Sequence, residues 1–329
     1  MGEFLGHALD NLLSPVVLFF ALGWASKLVK SDLDLPEAMV RGMSYYLMAS
    51  IGLKGGIELA KEGWTAQVIA ACVGAGILSL ALAVVAFMAL LYLGRIAVVD
   101  AAAIAAHYGS VSAVTFLTAA VFLTRQGYAY EGYTVAMMAV MESPAIAMGL
   151  LLARLYDTSS APRKSATPIR EIVHEALFNG SVLILVGALI IGAVTGEAGS
   201  QAVGPFFFAL FKGVLCLFLL HMGIEAASRF GDFRQVGGFL TGFGIVMPLV
   251  GAALGIALAW SLGLSVGGTV LVAVLGASAS YIAVPAAMHL ALPRANLGYS
   301  MTLALGITFP FNVIVGIPLY LLIAIAIAH

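Results

Sequence analysis

Ten stretches of this sequence are apolar for about the 20 residues a helix needs to cross a bilayer, and they leave little outside themselves to fold. They run approximately over 14–31, 36–56, 66–93, 97–123, 131–156, 172–195, 204–227, 236–262, 267–291 and 297–327. Each is continuously apolar rather than alternating at period two, which argues against a membrane β-barrel. Only 9% of the 329 residues are charged and 62% are hydrophobic, against roughly a quarter charged in soluble domains. The expected fold is therefore an all-α membrane protein of ten transmembrane helices, with no room for a soluble domain. Glu3 and Asp10 but no Lys or Arg precede the first run. It lacks the basic n-region of a cleaved signal peptide and is expected to remain as the first helix. The formal net charge of −1 says little, and no nucleic-acid partner is expected. Cys72 and Cys216 sit in apolar runs, where packed thiols are expected rather than a disulfide or a metal ligand.

The two halves of the chain resemble one another. Ser110-Val111-Ser112-Ala113-Val114-Thr115 aligns with Ser280-Tyr281-Ile282-Ala283-Val284-Pro285, an offset of 170 residues. Gly56-Ile57-Glu58-Leu59-Ala60 is echoed by Gly223-Ile224-Glu225-Ala226-Ala227 at 167, and Glu142-Ser143-Pro144 by Thr308-Phe309-Pro310 at 166. The most polar connector, Asp157 to Ser165, lies between them. Three units are expected: a first five-helix repeat at 1–157, a linker at 158–171 and a second repeat at 172–329. Lys27, Lys30, Arg95, Arg154, Arg163, Lys164, Arg170, Arg229, Arg234 and Arg294 fall on one face, and Lys54, Lys61 and Arg125 on the other. The positive-inside rule makes the first face cytoplasmic and puts both termini outside. Five spans is an odd number, so the second repeat enters inverted, the plan of many secondary transporters.

Runs four and nine contain helix breakers. Run four holds His107-Tyr108-Gly109-Ser110-Val111-Ser112, and run nine holds Gly276-Ala277-Ser278-Ala279-Ser280-Tyr281 with Pro285 beyond. Gly tolerates unwound backbone and Pro removes a donor, so discontinuous helices are expected at both. Unwound backbone survives at membrane depth only when buried in protein or lining a watery cavity. Half-helix N-termini suit an anion, and freed carbonyls suit a hard cation. Gly109, Ser110, Ser112, Thr115, Ser278, Ser280 and Tyr281 are therefore candidate substrate-binding residues, with Ser112 and Ser280 also candidates for the cation. Small residues also serve close helix packing, but their placement at matching positions of both halves favours the binding reading.

Glu142 lies inside the apolar run from Val135 to Leu152, where a carboxylate costs roughly 2.5–3.5 kcal/mol on insertion scales. An acid there is expected to ligate Na+ or exchange a proton, the structural alternative being a protonated Glu bonded to a carbonyl. His107 is a hydrogen-bonded core or gate residue, or a proton relay if water reaches it. Glu58 and Glu225 are expected to do a shared structural job, such as pairing with Lys54 or Arg229. Lys212 is expected to snorkel or meet a subunit interface. Asp100 reads as a cap, and Asn312 as a substrate ligand or a helix-to-helix hydrogen bond.

Several segments together resemble the sodium-dependent bicarbonate transporter family best known from cyanobacteria. They are Leu35-Pro36-Glu37-Ala38, Ile51-Gly52-Leu53-Lys54-Gly55-Gly56, Val99-Asp100-Ala101, Met141-Glu142-Ser143-Pro144, Met222-Gly223-Ile224-Glu225-Ala226, Leu292-Pro293-Arg294-Ala295-Asn296 and Ile317-Pro318-Leu319. The resemblance implies an inverted-repeat carrier with gate and core domains, often trimeric, in the inner (plasma) membrane of a bacterium. It implies that bicarbonate moves with Na+ by an elevator-like motion, both sitting between the crossing breaks of spans four and nine. Gly109, Ser112, Thr115, Ser278 and Ser280 match the family pattern, and Glu142 stands where members carry Asp. Tyr281, Ala283 and Val284 replace Asp, Ser and Gly of the cyanobacterial members, and Ala113 and Val114 replace Gly and Ser. Fewer oxygens weaken a hard-cation site. The connector is shorter than the cyanobacterial hydrophilic loop, so binding of a soluble regulatory partner is not assumed.

The function expected is sodium-coupled uptake of bicarbonate or a similar small monovalent inorganic anion, with Na+ near Glu142 and no cofactor. The alternative is a proton-coupled anion carrier or cation/proton exchanger using Glu142. His-Glu-x-x-His, Gly-x-Ser-x-Gly and paired intramembrane aspartates are absent from the sequence, so an enzyme is not expected.

Overall fold

Helices begin where a polar side chain can take the first orphan backbone N–H groups. In a computed structural model, which describes residues 13–63, 65–157, 180–229 and 233–328, Ser14 accepts from the Val17 amide ahead of Pro15. Thr65 accepts from Val68, Ser265 from Gly268 and Asn296 from Gly298. Every regular element among the described residues is helical. In chain order these are α1 (Pro15–Leu28), α2 (Glu37–Glu62), α3 (Ala66–Leu93), α4 (Val98–Gly109), α5 (Ala113–Arg125), α6 (Thr134–Met141) and α7 (Pro144–Tyr156). There follow α8 (Gly180–Phe207), α9 (Phe211–Arg229), α10 (Phe233–Ser261), α11 (Val266–Ala277), α12 (Ala283–Ala291) and α13 (Leu297–Ile327).

Among the described residues, seven helical stretches are long and apolar enough to cross a membrane, including Ala66–Leu93, Val98–Arg125, Gly237–Ser261 and Leu297–Ile327. The second expected span is a helix of 26 residues, yet Arg41, Lys54, Glu58 and Lys61 along it make it too polar to be one of the seven. Pro15–Leu28 and Val266–Ala277 are shorter apolar helices. The linker expected at 158–171 lies outside the described residues.

One span departs from the continuous helix expected at 131–156. Its helical hydrogen bonding lapses at Glu142-Ser143, ahead of Pro144 at the start of α7, while both residues keep helical dihedrals and Thr134–Tyr156 remains one stretch long enough to cross a membrane. The physical reason is Pro144, which has no N–H to donate to the preceding turn. The corresponding place in the second half is also irregular. There α13 passes through π-helical turns at Thr302–Thr308 and Asn312–Gly316 around Pro310.

The helices sort into a buried centre and an exposed rim. Of the apolar stretch in Val98–Arg125, 94% is buried inside the protein, against 22% for Val182–Gly199. At the rim α1 packs on α9 and α2 on α8, and glycines set the spacing. A Cβ on Gly223 would run into the Phe20 carbonyl, and one on Gly23 into the Leu220 carbonyl. Gly56 meets the Leu189 carbonyl across the α2–α8 crossing in the same way. Thus the repeated Gly-Ile-Glu pattern has a packing cause, since backbones approach this closely only where the side chain is a hydrogen. We predict that Gly223→Ala lowers stability by about 1–3 kcal/mol, read as a lower thermal unfolding midpoint in detergent; an unchanged midpoint would show that the crossing relaxes freely.

The shared job of the two glutamates is only partly as expected. Glu58 pairs with Lys61 at 3.2 Å rather than with Lys54, and Lys61 also reaches Glu197 at 3.3 Å. These hydrogen bonds, that to Glu58 first, hold the Lys61 ammonium above the usual lysine range. On a helix Lys61 is three residues beyond Glu58 and on its face. Lys54 is also within helical reach, but its ammonium goes to the Tyr130 hydroxyl at 3.3 Å. Asp100 is a cap of a different kind, because its carboxylate takes the Asn296 amide of the α12–α13 loop at 2.7 Å.

Candidate functional site

Two chain breaks face each other at the centre. The α4–α5 break is extended at Ser110 and Ser112, and the α11–α12 break leaves the helix at Ser278. They are tied by two reciprocal bonds: the Ser112 amide donates to Ser278 Oγ at 2.9 Å, and the Ser280 amide donates to the His107 carbonyl at 2.8 Å. Two helix N-termini (α5, α12) and two C-termini (α4, α11) therefore meet there, bringing partial charges of both signs to one place.

Several hydroxyls expected to bind ligand are occupied by this scaffold. Ser278 Oγ accepts from Ser112 and donates to the Leu275 carbonyl at 3.1 Å. Ser112 Oγ accepts from the Thr115 amide at 3.2 Å and the Thr115 hydroxyl at 2.9 Å, capping α5. Ser110 donates to the Glu142 carbonyl at 2.9 Å, joining the first break to the α6–α7 junction. At Gly109 an added Cβ would lie 2.7 Å from the Ala83 Cβ and 2.8 Å from the Ser79 carbonyl, so close packing accounts for the glycine. The His107 ring bonds the Ala103 carbonyl through Nδ1 at 2.7 Å, while Nε2 has no hydrogen-bond partner.

Between the breaks lies a small cavity of about 10 Å³, lined by Ser44, Met48, Ser112, Glu142, Ser280 and Tyr281 among others. A cavity of that size holds about one water-sized occupant. It fits a monatomic ion and excludes a polyatomic anion in this conformation. Three polar atoms of its lining residues are buried with no hydrogen-bond partner, Glu142 Oε2, Ser44 Oγ and the Tyr281 hydroxyl. Such groups are costly unless something completes them. The salt bridges among the described residues do not involve Glu142. Tyr281 closes one side, its ring edge-on to Phe309 at 5.8 Å, and Phe309 meets Phe20 of α1 at 5.5 Å.

The structure therefore brings Ser112, Ser280, Tyr281 and Glu142 together at the cavity and places Gly109, Ser110, Thr115, Ser278 and His107 in its frame. Sequence reasoning missed Ser44 and Met48 of α2. Neither breaks a helix, and position 211, which corresponds to Ser44 at the 167 offset, is a phenylalanine, so no repeat signal marks it. Asn312 is a brace. Its amide donates to the Ala277 carbonyl at the end of α11 at 2.8 Å, and its oxygen accepts from Tyr320 at 2.8 Å. Thr308, the residue aligned with Glu142 at the 166 offset in sequence, donates to the Gly244 carbonyl at 2.7 Å and shares a 2.6 Å hydrogen bond with Tyr108.

The model of the Na+-dependent bicarbonate transporter superfamily matches residues 15–325. No curated protein matches the chain.

Proposed function

The chain belongs to the Na+-dependent bicarbonate transporter superfamily, and from that premise we propose that it carries bicarbonate, or a similar small monovalent anion, together with Na+. The observation behind this reading is the cavity between the two breaks, where Glu142 Oε2 and Ser44 Oγ lack partners in a space sized for one ion. Na+ is a hard cation and prefers oxygen ligands, as Ca2+ and Mg2+ do. Glu142 supplies the negative charge. Ser44 and Ser280 contribute oxygens, and Ser112 holds the α5 end in place. The anion binds at the half-helix N-termini once the crossing opens.

Two inverted five-helix repeats working by alternating access belong to the same proposal. The paired packing of α1 on α9 and α2 on α8 supports it, because exchanging the repeats exchanges these two contacts. In an elevator-like motion the buried centre, α3–α7 with α10–α13, slides against these rim helices. The homo-oligomer and inner-membrane setting implied by the resemblance complete the picture. Coupling requires that Na+ and anion bind one state better than the other, since equal affinity for both shifts nothing.

A second reading rests on the same carboxyl. With no basic side chain paired to it among the described residues, Glu142 can be neutralised by a proton as well as by Na+, which would make the protein a proton-coupled anion carrier or an exchanger. Radiolabelled bicarbonate uptake into proteoliposomes separates the two. We expect uptake with an inward Na+ gradient and little with K+ in its place. Uptake that follows an inward proton gradient and ignores Na+ would replace sodium coupling with proton coupling.

A further inference from the structure

Two adjoining cavities of about 320 and 350 Å³ lie on the face that carries Lys54, Lys61 and the C-terminal end of α5. They share Ile51, Lys54, Glu58, Thr124 and Tyr130 as walls. Ile51 is one turn of α2 above Met48, about 4.5 Å along the axis, and Met48 lines the small central cavity. This vestibule is therefore separated from the crossing by little more than one layer of side chains. By the positive-inside count it opens to the outside.

Its charges are not balanced. Lys61 is tied to both Glu58 and Glu197, which uses the two acids of the larger cavity. Lys54 and Lys212 line that cavity as well, and neither makes a salt bridge among the described residues. Lys54 is held in place, with its Nζ 3.3 Å from the Tyr130 hydroxyl and 5.4 Å from the centre of that ring. An ammonium has three donors and a phenol has one proton of its own. Because the Tyr130 oxygen accepts from Lys54, the phenol proton and two ammonium N–H groups remain for an acceptor from solution. Apolar walls such as Ile57, Val121 and Phe211 concentrate the field of such a group.

We propose that Lys54 and Tyr130 form a second anion site, a collecting station for small monovalent inorganic anions ahead of the crossing. This rests on the anion-carrier reading above and extends it. The station raises the local anion concentration while the central cavity is closed, and it hands the anion on when α5 shifts against α2. The competing structural account is that Lys54 merely lays its stem over Tyr130 and snorkels to water.

One experiment needs no transport. In a Cys72→Ala/Cys216→Ala background, Thr124→Cys provides a thiol on the vestibule wall. Its modification rates by an anionic sulfonatoethyl and a cationic trimethylammonioethyl methanethiosulfonate are compared with Lys54 present and with Lys54→Gln. We expect the anion-to-cation rate ratio to fall about tenfold with Lys54→Gln and to be kept by Lys54→Arg; an unchanged ratio overturns the proposal. In proteoliposomes Lys54→Gln should raise the KM for bicarbonate about tenfold at unchanged maximal rate, with recovery in Lys54→Arg. A fallen ratio with an unchanged KM would also overturn the station. If the parent protein takes up no bicarbonate under any gradient, the function proposed above fails, and the reagent ratio still decides whether the vestibule gathers anions.

Discussion

Glu142→Gln is expected to lower the apparent Na+ affinity of uptake by about 10–100-fold, the range seen when groups supporting a bound metal are removed. Glutamine keeps the shape and one oxygen but replaces the anionic partner with an amide whose N–H groups point positive hydrogens at the cavity. The residue is 7% exposed, and among the described residues its Oε2 has no hydrogen-bond partner and it makes no salt bridge that could take over. Glu142→Asp should lose less, because it keeps the charge and retracts it by one methylene. The check is the rate of uptake against Na+ concentration, together with the thermal midpoint of each purified variant. Unchanged Na+ dependence in a folded Glu142→Gln protein would remove this residue from the cation site. Loss of a pH-dependent, Na+-independent flux would instead assign it to proton coupling.

Asn312→Leu is expected to cost about 2–6 kcal/mol. Asn312 is fully buried, donates to the last carbonyl of α11 and accepts from Tyr320. Leucine fills similar space and leaves both partners unsatisfied, at about 1–3 kcal/mol each. Tyr320→Phe removes only one of the two bonds and should cost less. Adding it to Asn312→Leu should recover part of the loss, because the stranded hydroxyl is then gone. The measurement is thermal unfolding in detergent for the three variants. Three equal midpoints would mean that Asn312 does not brace the break.

Much of the architecture was readable from the chain. Ala66–Leu93 falls where the third apolar run does, since continuous apolarity at that length admits few other structures in a bilayer. The breaks at Ser110 and Ser278 were legible because Gly and Ser cluster there at matching places in both halves. The lapse in helical hydrogen bonding at Glu142-Ser143, inside a stretch that otherwise spans as one, was not read, although Pro144 announces it. The carboxylate drew the reading toward chemistry, and the surrounding run is apolar enough to pass for one helix. Ser44 was not legible at all, as a lone serine in a helix has no pattern to distinguish it.

The charged pairs show the same limit from another side. Lys54 and Lys61 are both within a turn of Glu58, so spacing alone allowed either pair. Glu197, brought over by the Gly-lined α2–α8 crossing, and Tyr130, in the α5–α6 connection, decided that Lys61 is shared between acids and Lys54 is left for other partners.

What the sequence by itself determined is a helical membrane protein with two broken apolar spans. Apolar length compels burial in lipid, and missing side chains and missing donors compel breaks, both of which are local properties of the chain. Only the tertiary structure decided which polar atoms hold the breaks together and which remain for a ligand. Ser112 and Ser278 look alike in sequence to Ser280, yet Ser112 spends its oxygen on the Thr115 amide and hydroxyl, and Ser278 spends its own on the Ser112 amide and the Leu275 carbonyl. Hydrogen bonds saturate, so a hydroxyl's role is set by which partners the packing of distant helices brings within about 3 Å.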